Sequence, residues 1–101
     1  MQIMDFLSKK AIVTDIKSTK KEDVIKELVD ALIEAGDVEK RARNKLIESL
    51  MSREALGSTA IGQGIAIPHA KSDSVAKLVA AFGLSTKGVD FDSLDGEPAY
   101  I

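Results

Sequence analysis

Residues 11–36 read AIVTDIKSTKKEDVIKELVDALIEAG, and their pattern decides the fold class. Ala11-Ile12-Val13-Thr14-Asp15-Ile16 is short and rich in β-branched residues, which predicts a strand or extended segment. Thr19-Lys20-Lys21-Glu22 fits the capping box, in which a hydroxyl and a carboxylate each satisfy a backbone N–H at a helix start. Beyond it, Val24, Ile25, Leu28, Val29, Leu32 and Ile33 form one apolar stripe at helical spacing, and Gly36 supplies a left-handed stop. A strand leading into an amphipathic helix opens a layered fold.

Working outward, Ile3–Leu7 reads as a short helical turn. Asp37 is placed to cap a second helix running to about Ser52, with the stripe Val38, Ala42, Leu46, Ile47, Leu50 and Met51. Lys40, Arg41, Arg43 and Lys45 fall mostly on its polar side, as a solvated face would. After Leu56 the texture changes. Gly57, Gly62 and Gly64 punctuate an alternation of Thr59, Ile61, Ile65 and Ile67, which predicts a hairpin-like or bulged strand ended by Pro68. Ser72–Lys77 reads as a helical turn, Leu78–Leu84 as a strand, Ser85–Gly88 as a turn and Val89–Phe91 as an edge. Asp95-Gly96 is a turn, and Glu97–Ile101 begins another strand. Helices alternating with strands predict an α/β (α+β) layered fold, a mixed β-sheet flanked by helices.

Composition narrows the chemistry. The 101 residues carry Lys+Arg 14 against Asp+Glu 16, no cysteine and one histidine. Without cysteine there is no disulfide scaffold, thiol nucleophile or thiolate metal site, and one histidine excludes any site needing two imidazoles from this chain. No metal or cofactor is expected. The formal net charge of −2 gives no general attraction to nucleic acid or an anionic membrane. Charge is uneven: residues 1–53 hold 11 Lys/Arg and 10 Asp/Glu, residues 54–101 hold 3 and 6. No apolar run reaches the ~18–20 residues of a membrane span, and the acidic start lacks a signal's basic flank, so the expected location is cytoplasmic.

His69 is the one side chain that titrates near neutral pH without a large pKa shift. It follows the apolar run Gly64-Ile65-Ala66-Ile67-Pro68, and the small Ala66 and Ala70 leave room beside its ring. Read alone, a single histidine is more often structural or merely exposed. Arg53 precedes Gly57-Ser58-Thr59, whose N–H and hydroxyl groups could face an anion alongside a guanidinium. The same Arg53 serves equally as a cation at a helix C-terminus. Gly62-Gln63-Gly64 lacks the Lys-Ser/Thr ending of a P-loop, so nothing supports nucleotide binding.

The stretch from Ser52 to Lys71, SREALGSTAIGQGIAIPHAK, closely resembles the phosphorylation-site signature of enzyme IIA domains. These belong to the fructose/mannitol class of the bacterial phosphoenolpyruvate-dependent sugar phosphotransferase system. Glu54, Ile61-Gly62 and Ile65-Ala66-Ile67-Pro68-His69-Ala70 match every element of the signature. Gly88-Val89-Asp90-Phe91 and Leu94-Asp95-Gly96-Glu97-Pro98 also look like this family, especially its fructose-type members.

The resemblance implies a phosphoryl relay. The histidine phosphocarrier protein (HPr) donates phosphate to the IIA histidine, which passes it to a cysteine of the IIB domain, and the IIC permease delivers the sugar. Carried over by position, His69 is the phosphate carrier and Arg53 steadies the phosphoryl group. Ser58 and Thr59 are added as phosphate-binding residues that offer hydrogen-bond donors, while Glu54, which would repel phosphate, is read as structural. Nitrogen-type relatives, which signal by phosphorylation state without feeding a permease, share the motif and form the alternative. The family domain is longer and carries a second active-site histidine. Residues 1–101 are therefore expected to be a single IIA domain lacking its C-terminal part, with an exposed sheet edge that favours a dimer or strand swap.

Overall fold

Two parallel strands, β1 (Leu7–Val13) and β2 (Ala80–Gly83), pair across the whole of the intervening helical region. Ile12 faces Phe82 and Val13 faces Gly83, with a slip in register between Leu7 and Ile12. The computed structural model describes residues 7–60, 62, 64–69, 80–93 and 96–100. Of the expected Ile3–Leu7 turn only Leu7 is described, and it opens β1; the expected turn over Ser72–Lys77 lies outside the described residues. The fold is α/β, with helices packed on a parallel sheet.

Pairing continues past the strands. Leu84 donates to the Val13 carbonyl at 2.8 Å and Ile16 to the Leu84 carbonyl at 2.9 Å. Val89 and Ala99 exchange both backbone hydrogen bonds as an isolated antiparallel bridge, and Lys20 bridges Asp90 in parallel. The segments read as an edge at Val89–Phe91 and a strand from Glu97 are thus single bridges that make the hydrogen bonding mixed.

Between the strands lie α1 (Lys21–Glu34), a 3-10 turn (Lys40–Ala42) and α2 (Arg43–Leu56). The stripe of α1 behaves as its spacing dictates: Val24, Ile25, Val29 and Leu32 are buried, with Leu28 and Ile33 packed beside them. α1 lies against β1, β2 and α2, and Leu46 and Ile47 of α2, with Val38 and Ala42 ahead of it, close the core. Gly83 is the contact point. A Cβ there would stand 2.4 Å from Ile16 Cδ1 and 2.8 Å from Leu28 Cδ2, so the missing side chain sets how closely α1 approaches the sheet.

Both helix starts depart from the expected caps. α1 begins one residue later than a capping box at Thr19 requires; its N-cap is Lys20, which makes no side-chain cap. The Thr19 carbonyl accepts from Asp90 N–H at 3.1 Å, so a long-range bridge holds this entry and Glu22 turns instead to Lys26 at 3.2 Å. Gly36 does stop α1, with φ +83°. Its N–H goes to Ile33 O and that of Asp37 to Leu32 O, the reciprocal pair of a Schellman motif. Asp37 is thereby spent on ending α1 and does not cap α2, whose helical residues start six positions later and continue to Leu56.

Candidate functional site

His69 is exposed, with its Nδ1 2.9 Å from the Ile67 carbonyl oxygen. Pro68 lies between acceptor and ring. Its ring fixes φ, and it biases Ile67 toward extended backbone, so the link from carbonyl to imidazole is short and stiff. A carbonyl oxygen can only accept, so this hydrogen bond places the proton on Nδ1 and the lone pair on Nε2.

The backbone before His69 is not a regular strand. Gly62 (φ +138°) and Gly64 (φ +74°) reverse the chain, which closes through Ile65 N–H on Gly62 O at 3.3 Å. Ile61 and Gln63 lie outside the described residues. Tyr100 N–H binds Gly64 O at 2.7 Å, and an added Cβ on Gly64 would meet the Tyr100 ring at 3.2 Å. Instead of alternating into a core, Ile65 is exposed and Ile67 is 65% exposed. Residues Gly64 to His69 form a ribbon on the surface that leaves Ile65 and Ile67 open while Ala66 packs against the core.

Arg53 stands in the last turn of α2, where its Nη1 donates to Gly57 O at 2.8 Å. It satisfies a carbonyl just beyond the helix end, favourable against the helix dipole. Ser58 and Thr59 turn inward. Ser58 Oγ donates to Phe91 O at 2.7 Å and accepts from Ala60 N–H at 3.1 Å, which commits the hydroxyl proton to the fold. Thr59 is buried, and its N–H donates to Glu54 Oε1 at 3.1 Å. Arg53 and His69 thus each have a backbone anchor, whereas the hydroxyls of Ser58 and Thr59 point into the molecule.

An ionic contact between distant segments sits at the end of α2, next to Arg53 in the chain. Lys21 Nζ pairs with Glu54 Oε1 at 2.9 Å, with side-chain exposures of 12% and 1%. The same ammonium lies 5.0 Å from the Phe91 ring centroid and 3.8 Å from Asp92 Oδ2. Burial pushes the Glu54 carboxyl up, but the Thr59 hydroxyl and N–H and the Lys21 ammonium outweigh it and hold the pKa below the ordinary value. Glu54 Oε2 and Thr59 Oγ1 are buried without a closed hydrogen bond, so the hydroxyl influences the carboxylate without pairing fully with it. Sequence reasoning took Glu54 as structural but missed Lys21; the available signal was a cation at the start of one helix and an acid in the last turn of the next.

Among the described residues no helix is long and apolar enough to cross a membrane. The structure thus holds one backbone-anchored imidazole on a surface ribbon and one backbone-anchored arginine at the end of α2.

Residues 5–101 match the family model for the phosphoenolpyruvate-dependent sugar phosphotransferase system, EIIA 2, and the chain belongs to this family. It is 48% identical over 101 residues to the PTS system fructose-specific EIIABC component of Bacillus subtilis, covering all of this chain and 16% of that protein. It is also similar to the crystal structure of nitrogen regulatory protein IIA-Ntr from Neisseria meningitidis. There the TM-score is 0.81 at 32% identity, over 95% of this chain and 64% of that one. A third similarity is to enzyme IIA-Mtl in its complex with phosphorylated enzyme IIB-Mtl from Escherichia coli, with TM-score 0.75 and 26% identity over 91% of this chain and 63% of that one. The chain therefore spans less than two thirds of each of these relatives.

Proposed function

We propose that this chain is a phosphoryl carrier of the sugar phosphotransferase system, with His69 as the residue that holds the phosphate. The supporting observation is the Nδ1···Ile67 O hydrogen bond on an exposed ring, which leaves Nε2 as the free nucleophile. The Nε2 lone pair attacks the phosphorus of phospho-HPr in line; a P–N bond forms as the bond to the donor's nitrogen breaks. The proton stays on Nδ1, donated in a hydrogen bond to Ile67 O, so no general base is needed. The site's remaining work is orientation and charge neutralisation. Arg53 supplies the second by swinging one guanidinium N–H pair toward the phosphoryl oxygens while its charge stays at the end of α2.

The phosphate then passes to a IIB cysteine for sugar uptake, with fructose the sugar that the Bacillus relative favours. The likeness to the Neisseria nitrogen regulatory protein supports a second reading, a carrier whose phosphorylation state is itself the signal. The first test is incubation with phosphoenolpyruvate, enzyme I and HPr. The expected product carries one acid-labile, alkali-stable phosphate, absent from His69→Ala; a phosphate that survives this substitution overturns the assignment. Offering the phosphorylated chain a fructose-type IIB domain separates the two readings. Loss of label to the IIB cysteine supports transport, and retention supports signalling.

A further inference from the structure

We infer that Lys21 is a positioning residue for the phosphoryl site, acting on Arg53 through the buried Glu54 pair. This rests on the phosphoryl-carrier reading and extends it to a residue outside the motif. Lys21 holds the segment 54–60 directly at Glu54 and indirectly, by way of Phe91, at Ser58. At one end its ammonium meets Glu54 Oε1, which also accepts Thr59 N–H. At the other it lies over the Phe91 ring, and the Phe91 carbonyl receives Ser58 Oγ. Gly57, whose carbonyl anchors Arg53, sits between these two grips. Arg53 itself is the chain neighbour of Glu54 in the same last turn of α2.

Removing the cation leaves a carboxylate 1% exposed with one oxygen already unpartnered. A buried charge deprived of its partner drives local rearrangement until it finds water or a proton. The cheapest rearrangement here is release of the turn at Gly57–Ala60, which carries the Arg53 anchor with it. Misplacing a positioning group by about 1 Å costs up to roughly a hundredfold in rate.

The test is a cycle of phosphotransfer rates from phospho-HPr to His69 in wild type, Lys21→Met, Arg53→Ala and the double variant. Lys21→Met is expected to slow transfer roughly ten- to a hundredfold. In the Arg53→Ala background the same substitution is expected to add less than about threefold, since coupled residues are non-additive. Full additivity overturns the proposal, because a cation that merely stabilises the fold slows both backgrounds alike. Lys21→Met/Glu54→Gln keeps an acceptor for Thr59 N–H without the stranded charge, and serves if the single variant does not fold. It is expected to recover transfer, and folding without recovery counts against the proposal. Independently of transfer, the Arg53 side-chain N–H resonance should shift and broaden in Lys21→Met and return in the double variant. An unmoved resonance overturns the proposal. Failure of the wild-type chain to accept phosphate bears on the carrier reading, and the Arg53 resonance still tests the Lys21–Arg53 link.

Discussion

Two glycines with nearly the same φ separate conformational cost from crowding. Gly36 (φ +83°) has open space where a Cβ would go, whereas at Gly88 (φ +85°) a Cβ would stand 2.9 Å from Pro98 Cβ and 3.0 Å from Tyr100 Cε1. Gly36→Ala is expected to cost about 1 kcal/mol, the left-handed penalty alone. Gly88→Ala adds overpacking and is expected to cost about 2–4 kcal/mol, read from denaturant midpoints at unchanged m-value. Glu54 gives the residue-scale pH prediction. Its folded pKa lies below its usual 4.5, so the stabilisation is complete above 4.5 and is lost as pH falls through the lower folded value. Glu54→Gln should be less stable at neutral pH, because it strands the Lys21 ammonium. It should also show a flatter loss of stability below pH 4.5 than wild type. An equally steep acid limb would mean that other carboxylates carry it.

At the scale of elements, what was local in origin was legible. The α1 stripe and the Gly36 stop follow from spacing and from one residue's conformational freedom, and both stand in the structure. The caps did not: the Thr19 carbonyl is taken by Asp90 from far along the chain, and α2 starts six residues after Asp37, which lies in the motif that ends α1. His69 was singled out by a motif and Arg53 by its position beside that motif, and the structure gives each a backbone anchor. The Lys21–Glu54 pair was not legible, because nothing in either neighbourhood says that the start of α1 meets the end of α2. Gly83→Ala tests the closest approach between elements. The added methyl must displace Ile16 and Leu28, and an expected loss of about 1–3 kcal/mol, seen as a lower midpoint, would confirm that glycine sets the α1–sheet distance.

Across the whole molecule, apolar side chains are distributed unevenly for a reason the proposed chemistry supplies. Ile65 and Ile67 stay open on the ribbon leading to His69, as a face that docks and releases a partner requires. Ile67→Ser is expected to leave stability within about 0.5 kcal/mol, since the side chain already meets solvent. It should raise the KM for phospho-HPr while changing the first-order transfer step little. A fall in the transfer step with KM unchanged would place Ile67 in the chemistry instead.

The order of the strands also governs how the molecule comes into being. Within this stretch β1 leaves the ribosome well before its partner β2, which ends at Gly83, beyond both helices. At synthesis rates of ~5–20 residues per second, the chain between them takes roughly 4–14 s to emerge. Throughout that interval β1 exposes an unpaired edge while α1 and α2 can already associate. Only when β2 arrives does the sheet close, and only then do Asp90 and Phe91, which follow it, come to hold the start of α1 and the Lys21 ammonium. The contacts from Asp90 and Phe91 are therefore added after both helices, whereas Arg53 and Glu54 find their nearer partners, Gly57, Lys21 and Thr59, before β2 emerges.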